Sequence, residues 1–349
     1  MINKIYVGDA LQILKTLPDE IVDCIITSPP YWQLRDYGVD GQLGLEPTFQ
    51  EYIAKLVEIF DEAKRVLKKD GTCWVNLGDT YSGSNKGAGG NGSQKESFTW
   101  NENFEQVCAN CGKTFIGRKF QNFCSSACSG VDNTKRTDKG LLPNKSLCNI
   151  PSRFAIAMQD NGWILRNEII WHKPNAMPSS VKDRFTIDYE KIFFFVKSQK
   201  YYFNQPKEPM ITDQVSSQST RKYSRETSTL PSNKNQDNVG RSDYTGFNDR
   251  YTPHENLMRN KRTIWTIPTQ ASTIEHFAMF PHEIVETIIE AGCKPNGIVL
   301  DMFLGSGTSA IVTKSLNRNY IGIELNSEYA KLAEERLKTT QMSMFGMGE

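Results

Sequence analysis

Apolar residues fall into short runs and helical stripes that alternate at both ends of the chain. Ile21–Thr27 is a brief run rich in Ile, which predicts a buried strand. Thr48 and Glu51 form a capping-box pair. Tyr52, Leu56, Ile59, Phe60, Ala63, Val66 and Leu67 then repeat at helical spacing, and Gly71 is expected to stop that helix. Cys73–Leu77 reads as the next strand, and Trp163–Trp171 and Tyr189–Val196 are strand-like as well. Toward the end, Pro281–Ala291 predicts a helix opened by proline, and Gly297–Leu300 a strand. A glycine-rich turn follows, then a helix reaching Leu316, a strand over Tyr320–Leu325 and a last helix capped by Asn326 or Ser327. Such alternation predicts an α/β fold: one open, mostly parallel sheet with helices on both faces.

Two stretches break the pattern. Tyr81–Gln94 turns to Gly, Ser and Asn, a linker composition, and a crowd of cysteines follows it. Lys207–Arg262 is poor in apolar residues and carries ten Lys/Arg against seven Asp/Glu, with Tyr223, Tyr244, Phe247 and Tyr251 interleaved. The expected organisation is therefore a core half (1–80), a linker with a cysteine-rich insert (81–149), a core continuation (150–206), a polar loop-rich insert (207–262) and a second core half (263–349). The formal net charge is +1, so there is no global basic field, and a nucleic-acid partner would need local clusters. No apolar run reaches the roughly 18 residues of a membrane helix. The first residues lack a signal-peptide pattern, and a cytoplasmic protein without membrane contact is expected.

Asp301-Met302-Phe303-Leu304-Gly305-Ser306-Gly307-Thr308 sits between a predicted strand and helix. Glycines there let a ligand approach the backbone, and the helix N-terminus offers free N–H groups. Glu324 ends the next strand, where a carboxylate can accept both hydroxyls of a ribose. A dinucleotide fits this turn too, because Gly305–Ala310 matches G-x-G-x-x-A. Asp301 favours S-adenosylmethionine, since a carboxylate repels a pyrophosphate and suits the ammonium of a methionine moiety.

Thr27-Ser28-Pro29-Pro30-Tyr31-Trp32 follows the first predicted strand directly. Two prolines cannot continue a central strand, so they fix an extended backbone at the sheet's carboxyl edge, where α/β sheets bind ligands. The Pro29 carbonyl and the Ser28 hydroxyl become two acceptors at one place, and Tyr31 offers a face on which a base stacks. An exocyclic base amine is a weak nucleophile because its lone pair is delocalised into the ring. Two acceptors on its N–H groups free that lone pair for direct attack on a methyl sulfonium, once the base has left the duplex stack.

With both motifs in place, the chain resembles the DNA amino-methyltransferases, the N4-cytosine and N6-adenine family. Asp301–Thr308 is similar to that family's cofactor loop and Ile321–Asn326 to its ribose strand. His276–Pro281, with Phe277 and Phe280, resembles the segment before the glycine turn. Val7-Gly8-Asp9-Ala10 resembles the short motif near the adenine or methionine. Trp171–Asn175, Pro178–Arg184 and Phe193–Phe195 resemble later elements on the catalytic side. The strip precedes the cofactor loop, as in the permuted β order, with target recognition expected between the halves.

The resemblance covers roughly 1–80, 150–205 and 263–340. It implies a Rossmann-like S-adenosylmethionine-dependent fold acting on double-stranded DNA, with Ser28, Pro29, Pro30 and Tyr31 as the catalytic set. It also implies donor contacts from Asp9, Phe277, Phe280, Asp301, Phe303, Gly305, Ser306, Gly307, Thr308, Glu324 and Asn326. Ser before Pro-Pro favours cytosine N4, with adenine N6 as the alternative. A homodimer and a cognate restriction endonuclease are partners such an enzyme admits. The 5-methylcytosine route is disfavoured because it needs a Cys nucleophile, and Cys24 lies within a strand.

Cys108, Cys111, Cys124 and Cys128 give C-x2-C-x12-C-x3-C, which suits one tetrahedral, structural Zn²⁺ with no open position. Residues 104–145 hold seven Lys/Arg against three Asp/Glu. That balance suits a module gripping the DNA backbone, and equally a metal staple for a small insert.

Overall fold

The apolar run predicted from Ile21 alternates between two cores, as a central strand must. Ile25 belongs to one buried cluster, and Cys24 and Ile26 belong to another on the opposite face. The computed structural model describes residues 1–83, 103–107, 113–118, 142–209, 258–269 and 280–345. Among them the strands are β1 (Lys4–Val7), β2 (Val22–Thr27), β3 (Leu67–Leu77), β4 (Asn103–Val107), β5 (Thr114–Arg118) and β6 (Ile164–His172). They continue as β7 (Tyr189–Val196), β8 (Lys207–Pro209), β9 (Met258–Asn260), β10 (Ile264–Thr266), β11 (Ile298–Asp301) and β12 (Asn319–Glu324). The helices are α1 (Ala10–Thr16), α2 (Phe49–Val66), α3 (Ile150–Asp160), α4 (His282–Gly292), α5 (Thr308–Ser315) and α6 (Ser327–Phe345). None of the described helices is long and apolar enough to cross a membrane.

The main sheet has eight strands in the order β1-β12-β11-β2-β3-β7-β6-β10. All neighbours pair parallel except β7, which runs antiparallel to both β3 and β6. Residues of α1, α2 and α3 pack with Ile25, Cys73, Val75, Phe193 and Phe195 on one face. The other face meets α4 through Ile284, Val285, Ile288 and Ile289, beside Cys24, Trp74 and Phe194. Trp74 and Phe194 stack at 4.0 Å with an interplanar angle of 2°. The predicted three-layer arrangement is therefore present.

Two helix starts follow the expected chemistry. Thr48 caps α2, its side chain accepting from the Glu51 N–H at 3.2 Å. Asn326 accepts from the Glu328 N–H at 2.9 Å and opens α6. Gly71 behaves otherwise than expected. α2 ends at Val66, Leu67 is already extended, and Gly71 lies inside β3. A Cβ on Gly71 would stand 2.5 Å from the Leu67 side chain and 3.0 Å from the Asp23 carbonyl. The glycine is required by the Leu67 side chain folded over it and by the β2 backbone at a register shift, not by a helix stop.

Residues Gln205–Arg262 form a separate compact unit. Its described part is the antiparallel pair β8–β9, where Glu208 holds Arg259 at 2.8 Å and Arg262 at 3.3 Å. The rest of the polar insert lies outside the described residues, as do the linker after Gly83 and all four clustered cysteines. β4 and β5 form an antiparallel pair that ends at Val107 and resumes at Thr114, so Cys108 and Cys111 fall in the interval.

Candidate active site

Parallel pairing brings the carboxyl ends of β1, β12, β11, β2 and β3 to one edge of the sheet, and antiparallel β7 enters at that same edge. Two motifs far apart in the chain meet there. The buried Thr27 hydroxyl, at the end of β2, donates to Asp301 Oδ1 at 2.7 Å, at the end of the adjacent β11. This bond ties the proline strip to the glycine turn. Beside it lies a cavity of about 330 Å³ bordered by both.

Asp301 is 5% exposed. Its Oδ1 also accepts from the Phe303 N–H at 3.1 Å, and its Oδ2 accepts from the Ser309 hydroxyl at 2.5 Å. Burial pushes its carboxyl above the usual carboxylate range, against the opposing pull of these three donors. Glu324 is held through both oxygens: Oε2 accepts from the Gly305 N–H at 2.7 Å and Oε1 from the Asn326 N–H at 2.8 Å. Each oxygen keeps further acceptor capacity, as a pair of ribose hydroxyls requires. Burial raises its carboxyl too.

The glycines of the turn divide the work. Gly305 has φ +55°, with open space where a Cβ would stand, and it borders the cavity. Gly307, by contrast, does not border the cavity. At φ +87° it opens α5, and a Cβ there would lie 2.7 Å from Ala333 Cβ on α6, so helix packing demands the glycine. Ser306, Phe303 and Phe280 line the cavity; the Ser306 hydroxyl accepts from Arg336 at 2.8 Å. Thr308 lines it as well, and its buried Oγ1 has no hydrogen-bond partner among the described residues. Such an orphan suits a polar ligand atom. Asp9 and Asn326 also border the cavity, but each spends one oxygen capping a helix; Asp9 accepts from the Gln12 N–H at 2.9 Å. Phe277 lies outside the described residues.

Ser28, Pro29, Pro30 and Tyr31 all border the same cavity. The Pro30 carbonyl is taken by the Tyr52 hydroxyl at 2.8 Å, whereas no hydrogen bond among the described residues reaches the Pro29 carbonyl. That leaves the Pro29 carbonyl a backbone acceptor without a partner among the described residues, next to the Ser28 hydroxyl. The Tyr31 ring lies against Gly78, where a Cβ would stand 2.4 Å from it. Its hydroxyl donates to Glu190 at 2.7 Å.

A strip of hydroxyl and carbonyl acceptors thus shares a cavity with a glycine turn and its two carboxylates, Asp301 and Glu324. A family model described as DNA methylase matches residues 22–335, which include both motifs. The chain belongs to the N6/N4 DNA methylase family. As a DNA methylase it acts on an exocyclic amino group of DNA. It is 38% identical over 334 residues to the Type II methyltransferase M.Cfr9I of Citrobacter freundii, covering 96% of this chain and 87% of that protein. The match to M.SmaI of Serratia marcescens is also 38% over 334 residues, covering 96% of this chain and 90% of the relative. Among solved structures, the cytosine-N4-specific PvuII DNA methyltransferase shares the fold with a TM-score of 0.53 at 18% identity, over 99% of this chain and 93% of that one.

The methylase site contains residues that sequence reasoning passed over. Glu190 lies near the start of β7, where it borders the cavity and binds Tyr31. Its only signal was a carboxylate beside Lys191 at the polar entry of a strand that is apolar from Ile192 onward. Tyr37 and Tyr329 line the cavity and meet edge to face at 6.4 Å. Tyr329 follows the Asn326 cap within the first turn of α6, a position that caps alone do not mark as facing a ligand. Cys24 is fully buried inside β2, and burial pushes its thiol well up, against the thiolate that a C5 route needs.

Proposed function

We propose that this methylase transfers the methyl group of S-adenosylmethionine to the N4 amine of cytosine in double-stranded DNA, with the base flipped out of the duplex. The observation that carries the reading is the Thr27–Asp301 hydrogen bond, which sets Ser28 and Pro29 beside the glycine turn. The residues fit the donor. Asp301 suits its ammonium, Glu324 its ribose hydroxyls and the orphan Thr308 hydroxyl another polar atom, and the space before Gly305 admits the ligand to the backbone. When bound, the donor supplies an electrophilic methyl on a sulfonium. A Thermus thermophilus chain of similar fold was crystallised with S-adenosyl-L-methionine; its TM-score is 0.50 at 20% identity, with coverage of 97% of this chain and 93% of that one.

Ser28 and the Pro29 carbonyl orient the amine, and Tyr31 carries the base. Extrusion costs a few kcal/mol, part of which base stacking returns. The choice of cytosine rests on Ser28, a hydroxyl where adenine-directed relatives of the strip more often carry Asp or Asn. Ser28→Ala tests the reading: donor affinity stays, while methyl transfer falls by about a hundredfold or more, the effect of losing one preorganised polar partner. Equal loss of both would make the strip structural. Sequencing DNA from cells expressing the protein for N4-methylcytosine and N6-methyladenine decides the base, and N6-methyladenine alone overturns the cytosine assignment.

The same reading includes a structural Zn²⁺ on Cys108, Cys111, Cys124 and Cys128, supported by their spacing and by the β4–β5 pair that brackets the first two. It also includes a restriction endonuclease of the same specificity, supported by the Type II designation of M.Cfr9I and M.SmaI.

A further inference from the structure

A directed chain of hydrogen bonds leaves the strip and ends on an acid. The Ser28 hydroxyl donates to the Tyr31 hydroxyl at 3.4 Å, and the Tyr31 hydroxyl donates to Glu190 Oε2 at 2.7 Å. The same Oε2 accepts from Asn76 Nδ2 at 3.0 Å, and Lys173 Nζ closes on Oε1. The carboxylate is thus held by three elements: the strip, β3, and the residue that follows β6. Its side chain is only 18% exposed. A second cavity of about 280 Å³ shares Tyr31, Leu34 and Glu190 with the first, so this pair forms part of the wall of both.

Methyl transfer makes such a sink necessary. The amine nitrogen becomes cationic as it takes the methyl, and it must lose a proton. A carboxylate in the strip's first position could receive that proton directly. Ser28 is neutral and cannot keep it, so the proton has to move on. Tyr31 is suited to pass it. Burial and the neighbouring Glu190 charge push its phenol well above the usual range, which keeps it a hydroxyl that donates and accepts at once.

We propose that Glu190 is the proton sink of the methyl transfer, reached from the target amine through Ser28 and Tyr31. The N–C bond forms as the donor's C–S bond breaks. One amine proton passes to Ser28 Oγ, the Ser28 proton to Tyr31 Oη, and the Tyr31 proton to Glu190 Oε2, from which it leaves to solvent. No oxidant or reductant takes part. Lys173 supplies the counter-charge that the carboxylate has before it accepts the proton. Glu190 does not touch the base, so it is a positioning and relay residue. The proposal rests on the reading of Ser28 as the amine's acceptor.

Glu190→Gln keeps an acceptor for Tyr31 and removes the sink. With the full-length protein, tritiated S-adenosylmethionine and unmethylated phage DNA, single-turnover methyl transfer should fall by about a hundredfold, within the range of a lost general base. Donor affinity by calorimetry, the DNA concentration giving half-maximal rate and the melting temperature should stay near wild type. Tyr31→Phe, whose ring keeps its seat on Gly78, should lose a similar factor, and it makes the same test if Glu190→Gln melts early. The double variant should be no slower than the slower single variant. A solvent deuterium effect on the wild-type rate should vanish in Tyr31→Phe.

A Glu190→Gln rate within about threefold of wild type, or losses that multiply in the double variant, would overturn the relay. Equal loss of donor affinity would overturn it too, by making Glu190 structural. Retained transfer in Ser28→Ala refutes the underlying reading of Ser28. Retained transfer in Glu190→Gln with collapse in Ser28→Ala refutes the relay alone.

Discussion

Asp301→Asn separates the two duties of the buried acid. The amide oxygen can keep the bonds from Thr27 and the Phe303 N–H, while the amide nitrogen faces Ser309, whose hydroxyl can rotate to accept. Geometry is therefore retained and the charge is lost. Burial raises the carboxyl's pKa in the folded chain, so folding favours its protonated form. The resulting stability is fully present below the unfolded value and is lost as pH rises through the folded one. Above that folded value the donor-free protein carries the cost of a buried charge, and the variant does not.

Its melting temperature at pH 7 should match or exceed that of the wild type, with a flatter acid dependence. Donor binding should move the other way. A charge-assisted contact contributes about 1.5–3 kcal/mol, so Kd should rise roughly ten- to hundredfold. Wild-type donor affinity should weaken as pH falls through the raised Asp301 value, because the ammonium then meets a neutral acid. The assays are thermal denaturation across pH and isothermal titration of S-adenosylmethionine. A variant that melts several degrees early yet binds donor normally would refute the reasoning and make Asp301 a purely structural brace.

The remaining predictions concern neighbouring residues. Gly307→Ala forces a positive φ on alanine and drives its Cβ to 2.7 Å from Ala333 Cβ, so thermal or urea denaturation should show a loss of about 2–4 kcal/mol. An unchanged midpoint would refute the packing role. Thr308→Val removes a buried hydroxyl without a partner; the melting temperature should hold or rise, and calorimetry should show roughly fivefold weaker donor binding, the value of one neutral hydrogen bond. Native mass spectrometry of the full chain should find one zinc, lost with any of Cys108, Cys111, Cys124 or Cys128 replaced by Ser. A metal-free chain with four freely titrating thiols would end that assignment.

Much of this site could be read in consecutive residues. Helix caps are written within one turn: Thr48 caps its helix as expected, and of the two candidates Asn326 and Ser327 it is Asn326 whose side chain caps the last helix. The strip and the glycine turn were legible for the same reason. A double proline fixes the backbone locally and a glycine frees it to take a positive φ, whatever surrounds them. Gly71 shows the limit: the same residue that ends helices also permits close strand approach, and only the packing of β2 on β3 tells which. Gly307 likewise reads in sequence as part of a ligand turn, and only the packing of α5 on α6 shows that Ala333 also demands a glycine there. Glu190 depends wholly on tertiary structure, because it reaches Tyr31, 159 positions away in the chain, only where antiparallel β7 enters the edge at which the parallel strands end. The sequence by itself determined which chemistries the chain carries, since caps, turns and acceptors are properties of short segments. Which of them share one cavity was decided by strand order and direction, properties of no single segment.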